Sequence, residues 1–270
     1  LIRAPLSISS VLDEAAETVA LTAAPWMGVL VAASLPYRFA QVLFFDRLFE
    51  VGKEASSYRN LLGDTANLVM LCFALSLVGR AIYARACRIA MVRGTRPGRE
   101  AWRVPPAALA SYFLTGSASV VLFFSMLFTI VGTIVAVIVS GLAIGTMELN
   151  ERVGLLRPFK LMGRNSRALA VLVGMAVIFF CALFVAWINL VAGFGIGSWL
   201  LDAAGIIEAP AWTVLFSMKN RLFLLLTFFG ALSVVEPFWI AAHVVYVRKA
   251  GAQESGDDLR DWFQELRRAS

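Results

Sequence analysis

The chain has 270 residues, 60% of them hydrophobic and only 16% charged, and its mean hydropathy is +0.78. Soluble domains carry about 45–50% apolar and about 25% charged residues, so intrinsic disorder and a conventional water-soluble enzyme with a single core are both excluded. The class that remains is an all-α polytopic transmembrane helical bundle, with residues 1–250 as the bundle and 251–270 as a cytoplasmic tail.

Spanning about 30 Å of hydrocarbon takes about 20 apolar residues in a helix. Six stretches meet that requirement. The first runs from about Val19 to Phe45, with Pro36 and Arg38 near its far end, and the second from about Asn67 to Val92. The third and fourth share the apolar stretch Ala107–Met147, which is too long for one span, and Gly132 marks the expected turn. If these two form a re-entrant pair, five spans remain. The fifth covers about Ala168 to Val191 and is extended by Gly193-Phe194-Gly195-Ile196-Gly197. The sixth covers Leu222 to Val247. Residues 1–18 hold one arginine against Asp13, Glu14 and Glu17, unlike a cleavable leader, so the first span is expected to stay attached.

Charge orients the spans. The segment from Arg80 to Arg103 holds Arg80, Arg85, Arg88, Arg93, Arg96, Arg99 and Arg103 with one acid, Glu100. With six spans, this segment, the one from Glu148 to Arg167, the tail and Arg3 all fall on one side. That side then carries 18 of the 24 basic residues. The positive-inside rule places both termini in the cytoplasm, as in a bacterial inner membrane. The net charge of +6 needs no nucleic acid to explain it. Anionic lipid headgroups, or a protein partner at the cytoplasmic face, are the expected counterparts. Cys72, Cys87 and Cys181 are odd in number and unpaired in spacing, so they suggest neither disulfides nor zinc and read as small buried hydrophobes.

Three amphipathic stretches flank the spans. Near the start, Ile8, Val11, Leu12, Ala15 and Val19 recur at helical spacing, and Ser10-x-x-Asp13 is a capping candidate. Its acidic side is expected to rest on the protein's own cytoplasmic arginines, such as Arg85 and Arg88. Leu155–Arg167 reads as an interfacial connector. In the tail, Leu259, Trp262, Phe263 and Leu266 line one face of a short helix that can meet the bundle, the bilayer or another protein.

Polar residues inside the spans are few. Glu236 precedes Pro237 in the sixth span, and an intramembrane carboxylate usually faces the bundle interior with a partner. His243, the only histidine, lies two turns further along the same face. Together they can relay a proton or bind a cation; equally, Glu236 can hydrogen-bond structurally at a kink. Arg38 can pair with Glu236 or snorkel to the interface. Asp64 reads as a residue near a helix N-terminus, and Asn189 as a hydrogen bond to a neighbouring helix. Gly141-x-x-x-Gly145 and Gly193-x-x-x-Gly197 permit close helix approach. No set of nucleophile, base and metal ligands can be assembled, so neither an enzyme nor a cofactor is expected.

The opening Pro5-Leu6-Ser7-Ile8 with Leu12-Asp13-Glu14 resembles the start of bacterial multi-pass proteins related to the glycerophosphodiester phosphodiesterase membrane domain. Similar to that family are also Glu148 followed by Phe159-Lys160-Leu161-Met162 and Asn165, and the ending through Tyr246, Arg248, Gly256 and Asp258-Leu259. Pro158 stands where a serine is usual, and Ala250–Ser255 lengthens the last junction. The resemblance implies a helical membrane bundle of about six spans without the hydrolase domain. Two functions fit these features. One is a non-enzymatic accessory or scaffold subunit using its cytoplasmic face. The other is a small transporter or channel with Glu236 and His243 on its pathway.

Overall fold

The structure is a computed structural model that describes residues 6–51, 58–126, 129–147, 166–205 and 214–255. It is all-helical, with no strand among the described residues. In chain order the helices are α1 (Ile8–Thr22), α2 (Gly28–Val51), α3 (Tyr58–Arg93), α4 (Pro106–Met126), α5 (Ile130–Thr146), α6 (Ser166–Ala203) and α7 (Arg221–Ser255). A wide turn at Ala23–Met27, with a cis Ala24–Pro25 bond, joins α1 to α2, and a short 3-10 turn at Arg99–Trp102 precedes α4.

Among the described residues, four helical runs are long and apolar enough to cross a membrane: Ile8–Phe49, Gly63–Arg93, Ser166–Ala203 and Arg221–Ala252. They account for the first, second, fifth and sixth expected spans, each longer than the apolar pattern alone indicates. α6 continues through its glycines to Ala203, and Gly205 just beyond its end takes a positive φ of 65°. The expected pair between Ala107 and Met147 appears as α4 packed on α5. The break falls earlier than Gly132. Thr129 caps α5 by accepting a hydrogen bond from the Gly132 backbone at 3.1 Å, which puts that glycine inside the first turn. A threonine hydroxyl can satisfy an orphan helix donor, and this outcompetes glycine's turn preference here. The apolar part of α5, Val131–Thr146, is a shorter helix than the four long runs.

Contacts divide the chain into two compact units, Leu1–Leu30 with Arg80–Ile178 and Pro237–Ser270, and Val31–Gly79 with Phe179–Glu236. In the first unit, every residue of α7 from Trp239 to Val247 is buried, as expected of a helix segment that is apolar on all sides. α3 contributes the small buried residues Ala81, Ala84, Ala86, Cys87 and Ala90, which allow close helix approach. α1 buries the stripe Val11, Ala15, Thr18 and Thr22, spaced three and four residues apart. Its cap is Ser7, whose side chain accepts from the Ser10 backbone while the Ser10 side chain answers the Ser7 backbone. The cap therefore sits one turn earlier than Ser10-x-x-Asp13, because a serine at the third helical position closes the reciprocal pair.

The second unit is held largely by aromatic contacts. Tyr37 meets Phe73 at 5.3 Å between ring centroids, and Phe45 meets Phe229 at 5.7 Å. Phe194 stacks on Phe216 at 5.4 Å, and both touch Phe223. Trp187 donates to the Thr227 hydroxyl at 3.1 Å, so its indole N–H is satisfied within an apolar surround. Cys72 and Cys87 are buried, whereas Cys181 is exposed on α6.

Candidate functional site: an ion pair, a seated histidine and a basic connector

Arg38 on α2 and Glu236 on α7 are brought together in the second unit. Arg38 Nη2 donates to Glu236 Oε2 at 2.7 Å, and Nη1 donates to Gln41 Oε1 one turn along α2 at 3.0 Å. Both charged side chains are about nine-tenths covered, at 11% and 10% exposure. Each would be costly alone in a low-dielectric interior, and the contact neutralises both. Of the two fates open to Arg38, pairing prevails over snorkelling, because a carboxylate lies within its reach.

His243 makes its contacts in the first unit. Its Nδ1 lies 3.0 Å from the Trp239 carbonyl one turn back, and the Trp239 ring is 4.0 Å away between centroids. A carbonyl only accepts, so Nδ1 carries the hydrogen and Nε2 of the neutral ring is the acceptor. Nε2 is buried with no hydrogen-bond partner among the described residues, and the ring lies against Gly141 of α5. A Cβ on Gly141 would overlap the imidazole, and one on Gly145 would come within 2.7 Å of the His243 carbonyl oxygen. The Gly141-x-x-x-Gly145 pair is thus the seat of α5 on α7. The glycines of Gly193-x-x-x-Gly197 have nothing within 4 Å of a built Cβ.

The arginine-rich segment after α3 is ordered by its own hydrogen bonds. Gly94, at φ +66°, ends the helix with its N–H on the Ala90 carbonyl at 2.7 Å, a backbone position that glycine takes without strain. Trp26 Nε1 donates to the Pro97 carbonyl at 3.2 Å and Arg85 Nε to the Glu100 carbonyl at 3.1 Å. Arg93 forms an ion pair with Glu100. The Glu100 carboxyl is held below the usual carboxylate range, first by its own backbone N–H and then by the Gly98 N–H and the Arg93 guanidinium. Arg80 is buried and Arg85 and Arg88 are half-buried, while Arg93, Arg96, Arg99 and Arg103 are exposed.

On the acidic side of α1, Glu14 meets a lysine and not one of the expected arginines: Lys249 Nζ lies 2.6 Å from Glu14 Oε1. Only the rotation of α7 about its axis brings this lysine to α1. Arg221 pairs with Asp46 at 2.6 Å in the second unit, linking the start of α7 to α2. Asn189 donates to the Val185 carbonyl of its own helix at 2.8 Å and is exposed, so it does not bridge helices. Asp64 lies in the second turn of α3 and is exposed. Leu259, Trp262, Phe263 and Leu266 lie outside the described residues, as does most of Leu155–Arg167. Among the described residues no group of three His, Cys, Asp or Glu side chains could hold a metal ion. No family model, curated protein or solved structure matches the chain.

Proposed function

We propose that the protein is a non-enzymatic integral membrane subunit, an accessory or scaffold that contacts a protein partner or anionic lipid through its arginine-rich face. The observation carrying this reading is the Arg38–Glu236 pair. The Glu236 carboxylate within α7 is already neutralised by Arg38 of α2, so it serves as a tie. The charges left to act on other molecules stand outside the spans. The proposal extends to about six spans, with α4 and α5 as the third and fourth, and to both termini in the cytoplasm of a bacterial inner membrane. The layout resembling the glycerophosphodiester phosphodiesterase membrane domain belongs to the same proposal.

Truncation after Ala250 tests it. The bundle should still insert and fold, while recovery of partner or lipid from native membranes should fall. Unchanged recovery removes the tail from the contact surface, and reporter tags placing the two chain ends in opposite compartments defeat the topology.

A small transporter or channel is the second reading. It draws on Arg38 Nε and His243 Nε2, each buried without a hydrogen-bond partner among the described residues. Under it, Glu236→Gln abolishes ion-coupled flux in proteoliposomes; under the scaffold reading there is no such flux to lose.

A further inference from the structure

The connector between α3 and α4 joins three features that together describe one kind of surface. The first is charge that its own fold leaves unspent. Glu100 takes up Arg93, whereas Arg96, Arg99 and Arg103 are exposed and form no ion pair with any described residue. The second is an exposed indole. Trp102 is 53% exposed and rests its ring 5.6 Å from Trp26, whose own indole is buried and bonded to Pro97. The third is position along the chain. A membrane-length run ends at Arg93, and α4 begins at Pro106, so the connector emerges at the end of a span.

Tryptophan collects at the headgroup level of a bilayer because its ring is apolar and its N–H is polar. Arginine matches phosphate through its planar fork of donors and keeps its charge there. A protein partner would not need the exposed indole to sit at the end of a span, but a headgroup layer does. We infer that Arg96, Arg99, Arg103 and Trp102 form a pre-ordered docking surface for the phosphates of anionic lipid at that membrane face. Order matters because the loop is already fixed by the Trp26, Arg85 and Gly94 hydrogen bonds, so little loop entropy is lost on binding. The inference rests on the proposed reading of this face as a contact surface and names the contact as lipid phosphate.

The test uses the full chain purified in detergent and titrated with phosphatidylglycerol or phosphatidylcholine, with bound lipid counted by native mass spectrometry. Wild type should prefer phosphatidylglycerol, and salt should erode the preference. The R96Q/R99Q/R103Q variant should lose at least tenfold of it, since each basic residue near an anionic surface contributes about fivefold. R96K/R99K/R103K should keep most of the charge-driven part. If the glutamine variant does not fold, the salt dependence of the phosphatidylglycerol preference in wild type decides the matter. An equal preference for the two lipids in wild type, or one unchanged in the folded R96Q/R99Q/R103Q variant, or one that salt does not erode, overturns the inference. The broader scaffold reading fails separately, if the full chain recovers neither protein partner nor lipid from native membranes.

Discussion

Gly141 of α5 stands flat against the imidazole of His243 on α7, and nothing larger than hydrogen fits at its Cα. The neighbours cannot yield, because His243 is wholly buried and its Nδ1 is tied to the Trp239 carbonyl. Gly141→Ala should therefore lower stability by about 1–3 kcal/mol, the usual cost of overpacking a close-packed core. The midpoint of thermal unfolding in detergent measures it. Gly193→Ala, with open space around it, is the control and should be silent. A G141A midpoint equal to wild type would show that the two helices do not meet at this glycine.

Removing one member of the Arg38–Glu236 pair should be worse than removing both. Glu236→Ala strands a nearly buried guanidinium and should cost about 3–5 kcal/mol. Arg38→Met combined with Glu236→Leu should recover most of that loss, because no uncompensated charge remains. A double-mutant cycle on unfolding midpoints reads the coupling directly. Additive single effects would mean that the two side chains do not interact.

The contact between Glu14 and Lys249 ties α1 to α7. Glu14→Lys places two cations face to face, with an expected penalty of about 1 kcal/mol, since one side of the pair is partly exposed. The exchange E14K/K249E should restore the wild-type midpoint. Charge reversal at Glu17, which is exposed, should have the smaller effect.

Acid should loosen the connector by discharging Glu100. Its carboxyl ionises at lower pH in the folded chain than in the unfolded one. Its contribution to stability is thus fully present above the ordinary carboxylate range and is lost as pH falls through the depressed value. Glu100→Gln mimics the protonated form. Hydrogen exchange at the backbone of residues 98–103 should be slower in wild type than in the variant at pH 6, and the difference should shrink as the pH falls through and below the ordinary carboxylate range. A difference independent of pH would separate Glu100 from the order of the connector.

Trp26→Phe keeps the ring but removes the donor to the Pro97 carbonyl. A buried hydrogen bond of this kind is worth about 1 kcal/mol. The loss should show locally, as faster proteolysis between Arg96 and Arg103, with little change in the global midpoint.

The sequence by itself determined the class, because backbone groups shielded from water must pair within helices or a closed barrel, and unbroken apolar runs of about 20 residues select helices. It also determined four of the long runs and the amphipathic stripe of α1, since both depend on residues close together in the chain. The possible Arg38–Glu236 pair was legible because so few charges lie within apolar runs. Tertiary structure alone decided which cation meets Glu14, why Gly141 must be glycine, and that Asn189 turns back on its own helix. It also set His243 against α5 and gave Glu236 to Arg38. All but the Asn189 contact depend on how one helix is rotated against another. A rotation of 100° per residue, invisible in any single segment's pattern, moves a side chain from a buried seam to the lipid face.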